Sequence, residues 1–520
     1  MTVSKVPRVL AFALDAAEPT LVYRMIERGE LPAMKSLLSA GRWLSVKSPA
    51  HIGSGSVWPT FFTGEDAQVH GLYGEWCWEA ERMGLKRVDG QRLIPFWKRL
   101  AESQVRVGVL DIPFLPLIGL KDGFEISEWG PHDLIEGRVE AAPERVAQLV
   151  SKSPAHPLSY DRLDSAGPGD YEGLRRLTST SLEGIRQRGS LAKSLIAETD
   201  PHLALIGFTE VHHTAHYLWN TVEPGDPIYD NERFMNLQSI EPSLRDVFRE
   251  VDRQIGLLVD TFGSEATVMV FSLHGMRPSN GVPTCLLAPL LCEKGFSRLG
   301  DWSSRSWTER GVALMAAVKR HSPKSMKRLY YKAMSTSTTQ RLARPTMMPA
   351  YDWTQTRAFA LPTDQHGWIR INLKGREAQG IVSPEEYGEL CKDLENLMRS
   401  LKRDDGKPLA RTVIRTTGHV TDALTSRIPD LVVHWEDEVF ASPLHIQDSA
   451  VVSHLTGQKY VGQHSLEGFC ILRGPEELHN GDSLHAKDIH RIIEKSLVPE
   501  GDELSSRGQR PRKGTFQVRP

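Results

Sequence analysis

Three groups of residues in this chain have types and spacings suited to chemistry. The run Thr209-Glu-Val-His-His-Thr-Ala-His-Tyr-Leu-Trp219 carries His212 and His216 four residues apart. On a helix the two share one face and can hold one cation. Packing beside Trp219 without a metal is the alternative, and His213, about a hundred degrees round the helix, belongs to an outer layer or the surface. Asp15 directly follows the apolar run Val9-Leu-Ala-Phe-Ala-Leu14. A carboxylate there can hold a cation, or it can cap the helix that the pattern through Met25 and Ile26 predicts. The third group is the loop Ser48-Pro-Ala-His-Ile-Gly-Ser-Gly-Ser56. Its small residues let backbone pass close to an anion, and a hydroxyl at a helix start sits where free N–H groups favour negative charge. Hydroxyl, carboxylate and imidazoles together are the parts of a metal-assisted nucleophile.

Several elements must bring these groups to one place. Apolar runs at 8 to 14, 105 to 110, 203 to 208, 266 to 271 and 430 to 434 read as buried strands. They alternate with helical patterns, which argues an α/β fold with a mainly parallel sheet covered by helices. In such sheets ligands bind at the C-terminal strand edge. The run 203 to 208 leads into the histidine pair, and Ala266-Thr-Val-Met-Val-Phe271 delivers Ser272-Leu-His-Gly-Met276. Val105-Arg-Val-Gly-Val-Leu110 ends at Asp111 on the same predicted edge, and Trp129 and His132 are further pocket candidates with surface packing as the alternative.

The order of these motifs resembles the type I phosphodiesterase/nucleotide pyrophosphatase family of the alkaline phosphatase superfamily. The resemblance rests on Ser54 with Trp58, Thr63-Gly64 and His70-Gly71, then on His212 and His216, Ser272-Leu-His-Gly-Met276, and Gly462-Gln-His-Ser-Leu-Glu-Gly468. Ala358 to Pro362, Ile369 to Glu377 and Ile428 to Val433 also look like segments of that family, so the likeness spans most of residues 8 to 497. It implies an alkaline-phosphatase-like α/β core over 1–283 and 350–498, a helical insertion or cap over 284–349, and a flexible basic tail over 499–520.

The same resemblance implies a hydrolase of phosphoric esters: a phosphodiester, a nucleotide pyrophosphate or a related phosphoryl substrate. Ser54, chosen by its distance from Thr63, would be the nucleophile that forms a covalent phosphoserine, with Ser56 as the second choice. Asp15, Ser54 and His274 would hold one Zn²⁺, and His212, His216 and His464 the other; manganese or iron suits the same donors. The chain departs from the family pattern at two positions. His212 stands where an Asp is expected, and so does Leu273, which cannot bind a cation. The expected consequence is a weakly held second metal or a single one, unless Glu210 restores a carboxylate. A phosphoryl transferase or mutase would use the same serine and metals, and a binding protein would keep only the scaffold.

Composition narrows the classes further. The 520 residues are 40% hydrophobic and 25% charged, ordinary for a globular enzyme. The formal charge of −2 provides no field to recruit a nucleic-acid polymer or a membrane surface, so the expected partner is a small phosphoryl compound, nucleotide-like among the options. No stretch of about twenty apolar residues occurs, and a first strand so near residue 1 leaves no expected leader. Five scattered cysteines, Cys77, Cys285, Cys292, Cys391 and Cys470, lack metal-type spacing and point to a reduced, cytoplasmic setting. No Cys-x-Pro-x-Arg run is present, which excludes a formylglycine sulfatase. Between 284 and 349 lie Trp302, Arg305, Trp307, Arg310, Arg320, Lys324, Lys327, Arg328, Tyr330 and Tyr331. These read either as an anion clamp or as the solvated faces of helices.

Overall fold

In the computed structural model the nine-stranded main sheet is built on Val9–Leu14, a strand with every residue buried. The structure describes residues 7–87, 93–115, 117–130, 139–160, 170–222, 241–279, 286–300, 347–362, 365–437, 444–453, 460–479 and 481–498. The basic and aromatic residues quoted from 302 to 331, His132, Cys285 and the tail from 499 lie outside the described residues.

The sheet order from one edge is Ser483–His485, Arg42–Lys47, Glu467–Arg473, Thr267–Ser272, Val9–Leu14, Leu203–Phe208, Val107–Leu110, Gly123–Ser127 and Glu140–Ala142. Val9–Leu14 pairs in parallel with both Leu203–Phe208 and Thr267–Ser272, and Val107–Leu110 continues the parallel set. Glu467–Arg473 runs antiparallel against Thr267–Ser272, and Glu140–Ala142 antiparallel against Gly123–Ser127. The sheet is therefore mainly parallel, and the residues that follow Leu14, Leu110, Phe208 and Ser272 all emerge at one edge.

Strand alternation explains the two-sided core. Leu10, Phe12 and Leu14 face one way, against the helices Tyr171–Thr199 and Leu244–Phe262. Val9, Ala11 and Ala13 face the other, toward Val57–Thr63 and Ala486–Leu497. With both faces covered, the strands read as continuous apolar runs, which made them visible in the sequence.

One expected strand belongs elsewhere. Leu431–Trp435 joins a separate four-stranded antiparallel sheet in the order Ala358–Leu361, Gly367–Ile371, Leu431–Trp435 and Ala410–Arg415. An apolar run looks the same whether helices cover it or an antiparallel sheet is packed on both faces. Here one face packs on the helix Pro384–Ser400 and on Leu286, Leu287, Leu290 and Leu291, and the other on Ile52, Tyr73, Trp76 and Trp78. Buried charges stiffen this sheet: Arg370 Nε donates to Glu377 Oε1 at 2.7 Å and Arg376 Nη2 to Asp430 Oδ2 at 2.7 Å. The segments around Ile369 and Ile428 thus hold a structural network.

Candidate active site

Asp15 leaves the end of its strand 1% exposed and does not cap the next helix. That cap is Glu18, whose carboxylate accepts from Leu21 N at the start of Pro19–Glu27. The Asp15 carboxylate faces the site instead. Its Oδ1 accepts from the Trp58 indole N–H at 2.9 Å, and its Oδ2 lies 3.0 Å from His212 Nδ1. His274 Nε2 is 3.8 Å from Oδ1.

The histidines arrive from three directions. Helix Glu210–Leu218 presents His212 and His216 from one face, as their spacing predicts. His464 comes from Gly462–His464, which pairs antiparallel with Met276–Pro278 just beyond His274. Ser272 Oγ, donating to the His274 carbonyl at 2.7 Å and accepting from Ala17 N at 3.0 Å, ties the His274 turn to the chain after Asp15.

The imidazole nitrogens converge. His212 Nε2 is 2.9 Å from His216 Nε2 and 2.8 Å from His464 Nε2, and one nitrogen from each of the three lies within 4.8 Å of the others. His216 Nδ1 is 2.9 Å from the Gly462 carbonyl, which can only accept, so that nitrogen carries the ring proton and Nε2 offers a lone pair. Burial, with His212 and His464 beside it, holds His216 neutral well below the ordinary histidine range. Three imidazole nitrogens converging at this spacing suit a metal-ligand set: tetrahedral zinc, with Zn–N of about 2.05 Å, separates its ligands by about 3.3 Å. The residues present therefore fit a bound divalent cation.

Ser54 opens the short helical turn Ser54–Ser56 that runs into Val57–Thr63. Trp58, one turn on, anchors this helix to Asp15 through its indole. Ser56 is fully buried and donates to the carbonyls of Pro49 and Gly53, so its hydroxyl is structural. The small antiparallel sheet clamps the same loop. Trp368 Nε1 donates to the Ile52 carbonyl at 2.8 Å, and the stacked rings of His366 and His434, 4.1 Å apart, place Nε2 on the carbonyls of Ala50 and His51. A Cβ at Gly53 would overlap the Tyr73 carbonyl and the Trp368 ring. Gly53→Ala is therefore expected to cost about 1–3 kcal/mol of stability or to shift Ser54, and a shift of about 1 Å lowers turnover roughly 10²-fold. Thermal melts alongside steady-state rates would show which.

Other motif residues serve the scaffold. Thr63 Oγ1 donates to the Pro59 carbonyl, and His70 Nε2 lies 3.1 Å from Thr60 Oγ1 while its Nδ1 accepts from Leu72 N. Gly64 and Gly71 follow the helices Val57–Thr63 and Ala67–His70 in left-handed conformations, φ 73° and 76°. His213 is buried beside Tyr217, away from the cluster.

Glu210 turns away from the converging nitrogens of His212, His216 and His464. It accepts from Arg188 Nε at 2.9 Å and lies 3.0 Å from His156 Nε2, and Arg188 Nη1 also donates to Asp111 Oδ2 at 2.7 Å. Asp111 further accepts from the backbone N–H groups of Trp129 and Gly130. This wholly buried network braces the first turn of the helix that carries His212 and His216. Sequence reading missed Arg188 and His156, which lie on no motif.

The model of the type I phosphodiesterase / nucleotide pyrophosphatase family matches residues 9–464. The chain belongs to this family. As a type I phosphodiesterase/nucleotide pyrophosphatase family member it is an enzyme of the phosphoric-ester hydrolase kind. No curated protein sequence matches it. Among solved structures, the fold of this family member resembles phosphonoacetate hydrolase from Sinorhizobium meliloti 1021 in complex with phosphonoacetate. Identity is 15%, coverage 94% of this chain and 95% of that one, and the TM-score 0.52. Murine ectonucleotide pyrophosphatase / phosphodiesterase 5, in an inactive form with AMP, gives 11% identity over 94% and 95% with a TM-score of 0.46. Among the described residues no helix is long and apolar enough to cross a membrane.

Proposed function

We propose that this enzyme hydrolyses a small phosphoryl compound, with Ser54 as nucleophile and a zinc-type cation on His212, His216 and His464. The observation that carries the reading is the convergence of three imidazole Nε2 atoms beside Asp15, to which Trp58 ties the Ser54 helix. When bound, such a cation supplies Lewis-acid stabilisation of charge developing on phosphoryl oxygens. The chain supplies the rest. The Ser54 oxygen gives up its proton and bonds to phosphorus as the bond to the leaving group breaks, the leaving group taking up a proton. Water then cleaves the phosphoserine ester, restoring the hydroxyl and releasing the phosphoryl product. His274, beside the other face of Asp15, is proposed as a further contributor to the polar wall of the site.

The family, together with the phosphonoacetate named for a structure of similar fold, supports a small anionic phosphoryl or phosphonate substrate. We read 1–283 and 350–498 as one core interrupted by 284–349. In support, Glu467–Arg473 lies in the main sheet between Arg42–Lys47 and Thr267–Ser272. Cys77, Cys292, Cys391 and Cys470 are free thiols, which supports a cytoplasmic setting.

The test is a screen of aryl phosphodiesters, nucleotide pyrophosphates and phosphonates, followed by turnover in ¹⁸O-labelled water. Hydrolysis is expected to place solvent oxygen in the released phosphoryl product. Turnover without label would support a transferase or mutase instead.

A further inference from the structure

The resemblance implies two cations, one of them on Asp15, Ser54 and His274. The groups around Asp15 argue against the second. Both carboxylate oxygens already face ring nitrogens of protein side chains: Oδ1 accepts from the Trp58 indole at 2.9 Å, and Oδ2 lies 3.0 Å from His212 Nδ1. Leu273, where another oxygen ligand would stand, is fully buried in an apolar cluster with Phe61, Phe271 and Trp58. The His212 ring meanwhile joins the two halves of the site, with Nδ1 toward Asp15 and Nε2 toward His216 and His464. With a cation on Nε2 this would be the carboxylate–histidine–metal arrangement, in which the carboxylate sets the ring tautomer and raises the basicity of the ligating nitrogen. With Nδ1–H toward the Gly462 carbonyl on His216, its Nε2 lone pair faces His212 Nε2 at 2.9 Å. A cation bound by both nitrogens would satisfy that lone pair.

We infer that the chain holds one resident divalent cation, on the Nε2 atoms of His212, His216 and His464, and that Asp15 is a positioning residue for His212 and not a metal ligand. The histidine at position 212 then replaces the expected carboxylate ligand while turning the neighbouring carboxylate into its support. This rests on the cation-dependent reading of the site proposed above.

The full-length chain, stripped by chelator and confirmed as folded by circular dichroism, is titrated with Zn²⁺ against a chromophoric competitor. Hydrolysis of an aryl phosphodiester is followed in the same samples. One zinc per chain is expected. Asp15→Asn puts an amide N–H₂ where one of the two carboxylate oxygens meets a donor, so it should still bind one zinc, about 10–100-fold more weakly. His274→Ala should keep one zinc, and His216→Ala should lose tight binding. Two zinc ions in the wild type, falling to one in both Asp15→Asn and His274→Ala, would overturn the inference while leaving the proposed function intact. A folded wild type that binds no zinc would overturn the inference, and its hydrolysis without metal would also overturn the cation-dependent reading.

Discussion

Ser54→Ala is expected to lower kcat by about 10⁴-fold or more while leaving the fold intact, since loss of a covalent nucleophile removes the path and not merely a contact. The side chain is only partly buried, and the turn around it is held by other groups: Ser56 on Pro49 and Gly53, Trp368 on Ile52, and His366 and His434 on the carbonyls of Ala50 and His51. The variant should therefore melt close to the wild type. Ser56→Ala is expected to do the opposite. It removes a hydroxyl whose one proton is shared between two carbonyls, at a cost of about 1–2 kcal/mol, and keeps the nucleophile, so the melt falls and kcat changes little. Acid-quenched enzyme mixed with ³²P-labelled substrate should carry label on the wild type and none on Ser54→Ala. Full turnover by Ser54→Ala would remove Ser54 from the reaction.

The parts of the molecule that were legible in the sequence are those where one constraint acts alone. Strands buried on both faces must be apolar along their whole length, so Val9–Leu14, Leu203–Phe208 and Thr267–Ser272 stood out, and with them the sheet edge carrying Asp15, His212 and His274. His464 was placed by its glycine setting, and the structure brings it within 2.8 Å of His212. Leu431–Trp435 was legible as a strand but not in its sheet, because partner choice is decided by long-range packing. The roles within the site were less readable still. Asp15 has the composition of a ligand, a cap and a hydrogen-bond acceptor alike, and only the structure, with Glu18 at the helix start, removes the cap. Arg188 is one of many arginines on a long helix, and nothing local marks it as buried. The pairing of His366 with His434 joins residues far apart in the chain, and no spacing rule foretells it.

Arg188→Met is expected to be the most destabilising single change near the site, at about 3–5 kcal/mol, because it leaves buried carboxylates without their cation. Arg188 is fully buried, with Asp111 at 2.7 Å, Glu210 at 2.9 Å and the Thr209 hydroxyl at 3.4 Å. The effect should also depend on pH in a definite sense. Burial alone would raise the Glu210 pKa, but Arg188, with help from His156, outweighs it and holds the group down at about 2. A folded pKa below the unfolded value of 4.5 means that this carboxylate stabilises the wild type above about pH 4.5. That contribution is lost as pH falls toward 2. Without Arg188 only His156 opposes burial, the largest effect, and the folded pKa is expected to move above the unfolded one. The variant then regains stability as Glu210 protonates, so the gap in Tm between wild type and variant should narrow as pH drops from 7 to 4. Adding Glu210→Gln to Arg188→Met should recover part of the loss at pH 7, where an uncharged amide replaces an uncompensated carboxylate. A gap that is constant with pH would mean that Arg188 acts through packing on Trp129 and not through charge. Because Glu210 sits on the first turn of the helix that carries His212 and His216, any surviving Arg188→Met fold should also bind zinc more weakly. That links the buried charge network to the geometry of the histidine cluster.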